Sequence, residues 1–186
     1  MNPKLQDCIA TDDYREAIQH ALVTKTETVA TDVNIMVVHS TVELFGQTFA
    51  DSLPEDGILL DKEALKSISK ATFFDIEYLP ETKEVKVVHS VKDVVNSSLF
   101  KVKYNVKDWT FPTYMSLFNT NGKWEGEGVT IGLNPKLFAR LAGAMGCNPG
   151  VSMTLSSPNR AIIVRNTESS AWPSAKGLIM PMMLDV

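Results

Sequence analysis

The feature that most restricts the fold of this chain is a cadence: a helix signal followed by strand-like sequence, met three times in 186 residues. Asp12 or Asp13 can cap a first helix over Tyr14 to Val23, with Ala17, Ile18, Ala21 and Leu22 at helical spacing. Asp61 caps a second over Lys62 to Lys70, whose apolar face is Ala64, Leu65 and Ile68. Asn134 followed by Pro135 starts a third, with Leu137, Phe138, Leu141 and Met145 turned inward and Gly146 as its stop. Strand-like runs follow each helix. They are Thr28 to Ser40, Phe73 to Leu79 and Lys83 to Ser90 as a hairpin about Pro80 and Glu81, Leu99 to Val106, Val151 to Leu155 and Ala161 to Arg165 about the turn SSPN, and Leu178 to Met182. The tetrapeptide VVHS, at Val37 and again at Val87, is a faint echo of a repeat. A helix packed on strands, repeated, predicts an α+β architecture with helices on one face of antiparallel sheets.

Composition adds limits. An apolar fraction of 44% with 22% charged residues supports a sizeable core and does not indicate disorder. The N-terminus MNPKLQDCIATDD has no apolar stretch behind basic residues, and no segment reaches the roughly 20 apolar residues of a membrane span, so a cytoplasmic protein is expected. Cys8 and Cys147 form no CxxC and predict neither a disulfide framework nor a zinc site. A net charge of −4 argues against coating nucleic acid by bulk electrostatics, though it leaves room for a local basic stripe.

The C-terminal run GLIMPMMLDV places apolar, methionine-rich sequence at an end that would otherwise fray. Pro181 removes a backbone donor, which suits an edge strand running out into a tail. Methionines line adaptable surfaces, so Leu178 to Met182 reads either as the last core strand or as the rim of a protein-binding groove.

GVTIGLNPKLFARLAGAMG, SMTLSSPNRAIIVRN and the ending GLIMPMMLDV together resemble the last half of the third domain of the bacterial sliding clamp, the beta subunit of DNA polymerase III, with its VMPMRL-like close. VATDVNIMVV resembles that family's ATDGHRLAV motif, DGILLDKEALKSIS a strand and helix of its second domain, and FKVKYNVKDWTFPTY the strand leading into its FPDY junction. A full chain of the family has three domains of two halves each; here the first domain and the first half of the third are not matched. The resemblance implies a clamp-like domain over 1–115, a linker over 116–128 and a clamp-like half-domain over 129–186.

The resemblance also implies a peptide-binding pocket built from Thr31, Asn34, Met36, Pro112, Asn134, Leu137, Leu178, Ile179, Met180, Pro181, Met182 and Met183. Val33 stands where the family has glycine, Asn34 where it has histidine, Ile35 and Met183 where it has arginine, so the pocket is expected to grip mainly by apolar contact. Lys62, Lys66 and Lys70 at i, i+4 and i+8, Lys136 and Arg140 on the third helix, and Arg15 on the first are the candidates to face duplex DNA; a basic stripe of this kind is equally a solvated surface.

No catalytic constellation stands out: His20, His39 and His89 are scattered, and no GxSxG, HExxH, P-loop or GxGxxG context is present. No cofactor and no metal are expected. The functional expectation is a clamp-like processivity factor that holds duplex DNA without reading sequence and captures short peptides of DNA polymerases or repair proteins. A non-encircling adaptor or decoy is the alternative, an enzyme on a borrowed fold ranks third, and self-association into an oligomer is open to either of the first two.

Overall fold

The structure, a computed structural model, describes residues 2–11, 15–92, 94–104, 111–118, 131–146, 150–155 and 160–182. Asp12, Asp13, Tyr14, Cys147, Met183, most of the expected linker and the SSPN turn lie outside the described residues.

The chain begins with a single 3-10 turn, Leu5–Cys8, and the expected first helix does not form. Within the described part of that run Glu16–Gln19 makes a 3-10 turn, after which β1 (Ala21–Val23) runs as a fully buried strand. The apolar residues at helical spacing are satisfied differently: Ala17 and Ile18 by the turn, Leu22 by pairing opposite Val29 on one side and Leu59 on the other. Burial of a short apolar run is equally favourable in helix or strand, and the neighbouring strands decide.

The long run expected over Thr28 to Ser40 is a hairpin of β2 (Glu27–Thr31) and β3 (Ile35–Ser40). Two short helices that the cadence does not announce, α1 (Thr41–Phe45) and α2 (Gln47–Ser52), follow about Gly46, whose φ of 86° suits glycine. β4 (Ile58–Leu60) leads into α3 (Lys62–Lys70), where the Asp61 carboxylate accepts from the Glu63 N–H at 2.6 Å and Ala64, Leu65 and Ile68 are buried, as the sequence predicts.

β5 (Phe73–Leu79), β6 (Glu84–Val91) and β7 (Val94–Lys101) form a three-stranded antiparallel sheet. The run expected from Leu99 divides between the end of β7 and a two-residue strand, β8 (Lys103–Tyr104), which returns to pair with β4. α4 (Pro135–Met145) starts where Asn134 accepts from the Lys136 N–H at 3.0 Å and stops at Gly146, in the left-handed region at φ 65°. β9 (Val151–Thr154), β10 (Ile162–Asn166) and β11 (Lys176–Ile179) complete the chain.

The larger sheet has the order β8-β4-β1-β2-β3-β11-β10-β9, and every pairing in it is antiparallel. β11 pairs with β3, so the last strand and the early hairpin belong to one sheet. Alternation then makes two cores. On one side Ala30, Ile35, Val37, Ile162, Val164 and Ile179 meet α3, α4 and the turn Leu5–Cys8, and the three-stranded sheet adds Ile76, Tyr78, Val85 and Val87. On the other side Leu22, Val29, Met36, Val38, Ile163 and Leu178 are covered by Ala17, Ile18 and Phe111. The architecture is α+β, with the helices gathered on one face of the sheet. The N-terminal residues tie the helix layer together: Asn2 Nδ2 donates to the carbonyls of Ile68 and Ala71, both at 3.0 Å, and the Lys4 N–H donates to the Gly143 carbonyl at 3.0 Å. Among the described residues no helix is long and apolar enough to cross a membrane.

Two predictions follow from the β3–β11 seam. A Cβ on Gly177 would lie 2.7 Å from Leu141 Cδ1 and 3.0 Å from both Met145 Sδ and the Met36 carbonyl oxygen. Gly177→Ala should therefore lower stability by about 1–3 kcal/mol, read as a reduced urea midpoint at unchanged slope. His39, buried on β3, sits 3.0 Å from the Ala144 carbonyl through Nε2 and edge-on to Trp172. Burial lowers its pKa from the usual 6.5 to about 4. Between those values the unfolded chain binds more protons than the native one, so stability is complete above pH 6.5 and declines as pH falls toward 4. Urea titrations should show that decline, and it should be smaller in His39→Gln.

Candidate functional site

The seam between β3 and β11 brings together some of the residues expected in the pocket, among them Asn34, Met36, Leu178 and Met180. Leu178 pairs opposite Met36, and Ile179 opposite Ile35. The Met180 N–H then donates to the Asn34 carbonyl at 3.0 Å, and the Met182 N–H to the Gly132 carbonyl at 2.8 Å. The terminal run is thus strand only over Lys176–Ile179, after which Pro181 interrupts the ladder and Met182 makes one isolated bridge. Leu178 and Ile179 are core, whereas Met180 and Met182 are 45% and 52% exposed.

The turn between β2 and β3 is built on Asp32. Its Oδ1 accepts from the Asn34 and Ile35 N–H groups, each at 3.0 Å, and Thr31 Oγ1 donates to the Ile35 carbonyl at 2.8 Å. This bends Val33 into the left-handed region at φ 78°, a conformation that favours glycine. The other carboxylate oxygen, Oδ2, takes the Arg140 guanidinium at 2.7 Å, so the turn is pinned to α4.

Thr31, Met36 and Leu178 fall on one face by register. Over that face lies the segment 111–118. Phe111 is buried against Tyr114 in an edge-on contact at 6.3 Å. The Tyr114 hydroxyl donates to Glu27 Oε2 at 3.0 Å, while Lys176 Nζ donates to Glu27 Oε1 at 2.9 Å and stands 5.0 Å from the Phe118 ring centre. Burial first, and then Glu27, pushes the Tyr114 hydroxyl pKa up, so it stays a donor. Pro112 is half-buried here, and Met115 and Leu117, in the 3-10 turn Met115–Phe118, are exposed. Ile179 points to the opposite face and is buried with α4; Asn134 is the cap of that helix, and Leu137 packs half-buried on the core. Met183 lies outside the described residues.

The basic candidates separate into two groups. Lys62, Lys66 and Lys70 on α3 and Lys136 and Arg140 on α4 share the helix layer, whereas Arg15 precedes the turn that packs on the other face. Lys62 and Arg140 meet across a cavity of about 600 Å³ that is also lined by Gln6, Asp7 and Asp32. Arg140 is engaged within the chain, by Asp32 and by the Asp7 carbonyl at 3.0 Å from Nε, and Lys66 lies 3.4 Å from Glu63. Cys8 adjoins this region, and burial, reinforced by Asp32, pushes its thiol pKa up, so it is protonated at neutral pH. Among the described residues no group of three or more His, Cys, Asp or Glu side chains could hold a metal ion.

Comparison with solved structures follows this geometry. An H. pylori beta clamp, solved in complex with diflunisal, superposes with a TM-score of 0.64 at 13% identity, over 97% of this chain and 62% of that one. The chain has a beta-clamp fold. A C. crescentus beta sliding clamp with bound polyethylene glycol matches the same shares at 12% identity and a TM-score of 0.44, too low to carry an argument. No protein-family model and no curated protein matches the sequence. The chain spans 62% of the length of the H. pylori clamp chain.

The Asp32–Arg140 pair and the Glu27–Lys176–Tyr114 cluster escape sequence reading, because their members are brought together from distant positions. Only the Asp32 turn has a local signal, an aspartate followed by the backbone donors of Asn34 and Ile35. Asp32→Ala removes both turn bonds and the ion pair to Arg140, so it should cost about 1–3 kcal/mol. Thermal melting checks the loss, and amide hydrogen exchange should rise first at Asn34, Ile35 and Met180.

Proposed function

We propose that this chain is a clamp-like tethering protein with no chemistry of its own. It captures short linear peptides of DNA polymerases or repair proteins beside the β3–β11 seam, and holds duplex DNA through basic side chains of α3 and α4 without reading its sequence. The observation that carries the reading is the placing of exposed Met180 against Asn34 of the turn and of exposed Met182 beside Gly132, with exposed Met115 and Leu117 on the segment that covers the Met36–Leu178 face. Unbranched, polarizable side chains on a backbone held by a sheet suit a guest peptide with aromatic or aliphatic anchors. On this reading residues 1–115 act as a clamp-like domain and 129–186 as a half-domain whose last strand completes the first one's sheet. The protein works in the cytoplasm.

A second reading, a non-encircling adaptor or decoy that binds the peptides alone, is favoured by the engagement of Arg140 with Asp32 and of Lys66 with Glu63, which leaves fewer cations for phosphates. One pair of variants separates the two. Met180→Ala with Met182→Ala should weaken binding of a fluorescent peptide with aromatic and leucine anchors by about tenfold or more, on either reading. Lys62→Glu with Lys66→Glu and Lys70→Glu should abolish duplex retention at low salt and leave peptide affinity unchanged; absence of duplex retention in the unmodified protein selects the adaptor. Unchanged peptide binding in the methionine variant overturns the site itself.

A further inference from the structure

We propose that β7 is a self-pairing edge, and that two copies of this chain join antiparallel along Val94–Phe100 about a two-fold axis at Ser97. The inference goes beyond the peptide-binding reading and does not rest on it.

The three-stranded sheet has the order β5-β6-β7, so β5 and β7 are its edges. Sheet edges are commonly guarded by charge, proline or a twist-inducing bulge. β5 is guarded, carrying Asp75 and Glu77. β7, with the sequence VVNSSLFK, has no proline, no positive φ and no charge before Lys101. It is also unusually exposed for its composition: Val95 is 71% exposed, Val94 60% and Leu99 58%. Among the described residues no strand lies on its outer side.

The sequence of this edge specifies what fits it. From Val94 to Phe100 the pattern is two apolar residues, three polar and two apolar, nearly symmetric about Ser97. An antiparallel partner must match residues that point to the same face, and a two-fold axis at Ser97 does so. It sets Val95 of one copy opposite Leu99 of the other on the outer face, and Val94 opposite Phe100 on the inner face. Ser97 then meets Ser97, and Asn96 meets Ser98. Every apolar side chain faces an apolar one on both faces, and no like charges are opposed between Val94 and Phe100. The register with its axis at Ser98 sets Val95 against Lys101 and Asn96 against Phe100, so the axis at Ser97 is preferred.

The rest of the outer face agrees. In the register of the sheet, Phe73, Ser90 and Val95 form one row across β5, β6 and β7. Phe73 is 76% exposed, and with Val88 and Val95 it lines an open cavity of about 280 Å³. Leu99 of the second copy extends that row and shields it from water. An isologous contact closes on itself and gives pairs, so any ring would need a second and different contact.

The test is sedimentation velocity over a micromolar concentration series. The unmodified protein should be a dimer at high micromolar concentration. Ser97→Lys, which sets two like charges on the axis, should be a monomer with an unchanged circular dichroism spectrum. Because a charged strand variant could misfold, Ser97→Cys supplies a gain of signal: residues facing each other on the axis are within disulfide reach, so oxidation should give a covalent dimer. Lys86→Cys, on the central strand β6, should not. A protein that stays monomeric at high micromolar concentration, a Ser97→Lys variant that still dimerises, or cross-linking no greater at position 97 than at 86 overturns the proposal.

Discussion

The rest of the structure depends on the pairing of β3 with β11. Four residues of each strand, Ile35–Val38 and Lys176–Ile179, are in register, and they come from opposite ends of the sequence. Closing so long a loop is entropically unfavourable, and the return comes from burial on both faces at once. Ile35, Val37 and Ile179 enter the helix-side core, Met36, Val38 and Leu178 the other, and Gly177 lets Leu141 and Met145 of α4 approach the backbone. Met180 and the covering segment 111–118 are both held at this seam, through Asn34 and through the Glu27–Lys176–Tyr114 contacts.

Polar groups then fix what the apolar seam leaves loose. Asp32 uses one oxygen to shape the turn and the other to hold α4 through Arg140, so the turn and the helix layer move as a unit. Glu27 acts likewise on the other face, taking Lys176 from β11 and Tyr114 from the covering segment. These contacts are partly shielded, where charge-assisted bonds are worth more than on an open surface.

The likeness to a bacterial beta clamp at 13% identity concerns the fold, and its extent shows which parts of the sequence were readable. Asp61, Asn134 with Pro135, and Gly146 mark helix ends through contacts a few residues away, and α3 and α4 stand where these residues place them. The β5–β6 hairpin was legible for the same reason. Of the residues expected in the pocket, Thr31, Met36 and Leu178 stand side by side across β2, β3 and β11. Asn134 and Leu137 serve the helix they begin, and Ile179 is core. The basic stripe of α3 was legible from its spacing, whereas the ion pair that engages Arg140 joins residues far apart in the sequence.

Sequence alone determined the α+β class, the two long helices with their caps, and an apolar C-terminus that needed a partner, because each rests on local spacing and local hydrogen bonds. Tertiary structure decided what residues 15–23 became. Ala21, Leu22 and Val23 carry a helical pattern, yet β2 and β4 offer them a ladder on both sides, and a buried strand satisfies their backbone as fully as a helix would. It also decided that the first and last parts of the chain would share a sheet, and that Val33 would accept a left-handed turn closed by Asp32. The reason is the same in each case: an apolar residue declares that it must be buried, and only the assembled neighbours say against what.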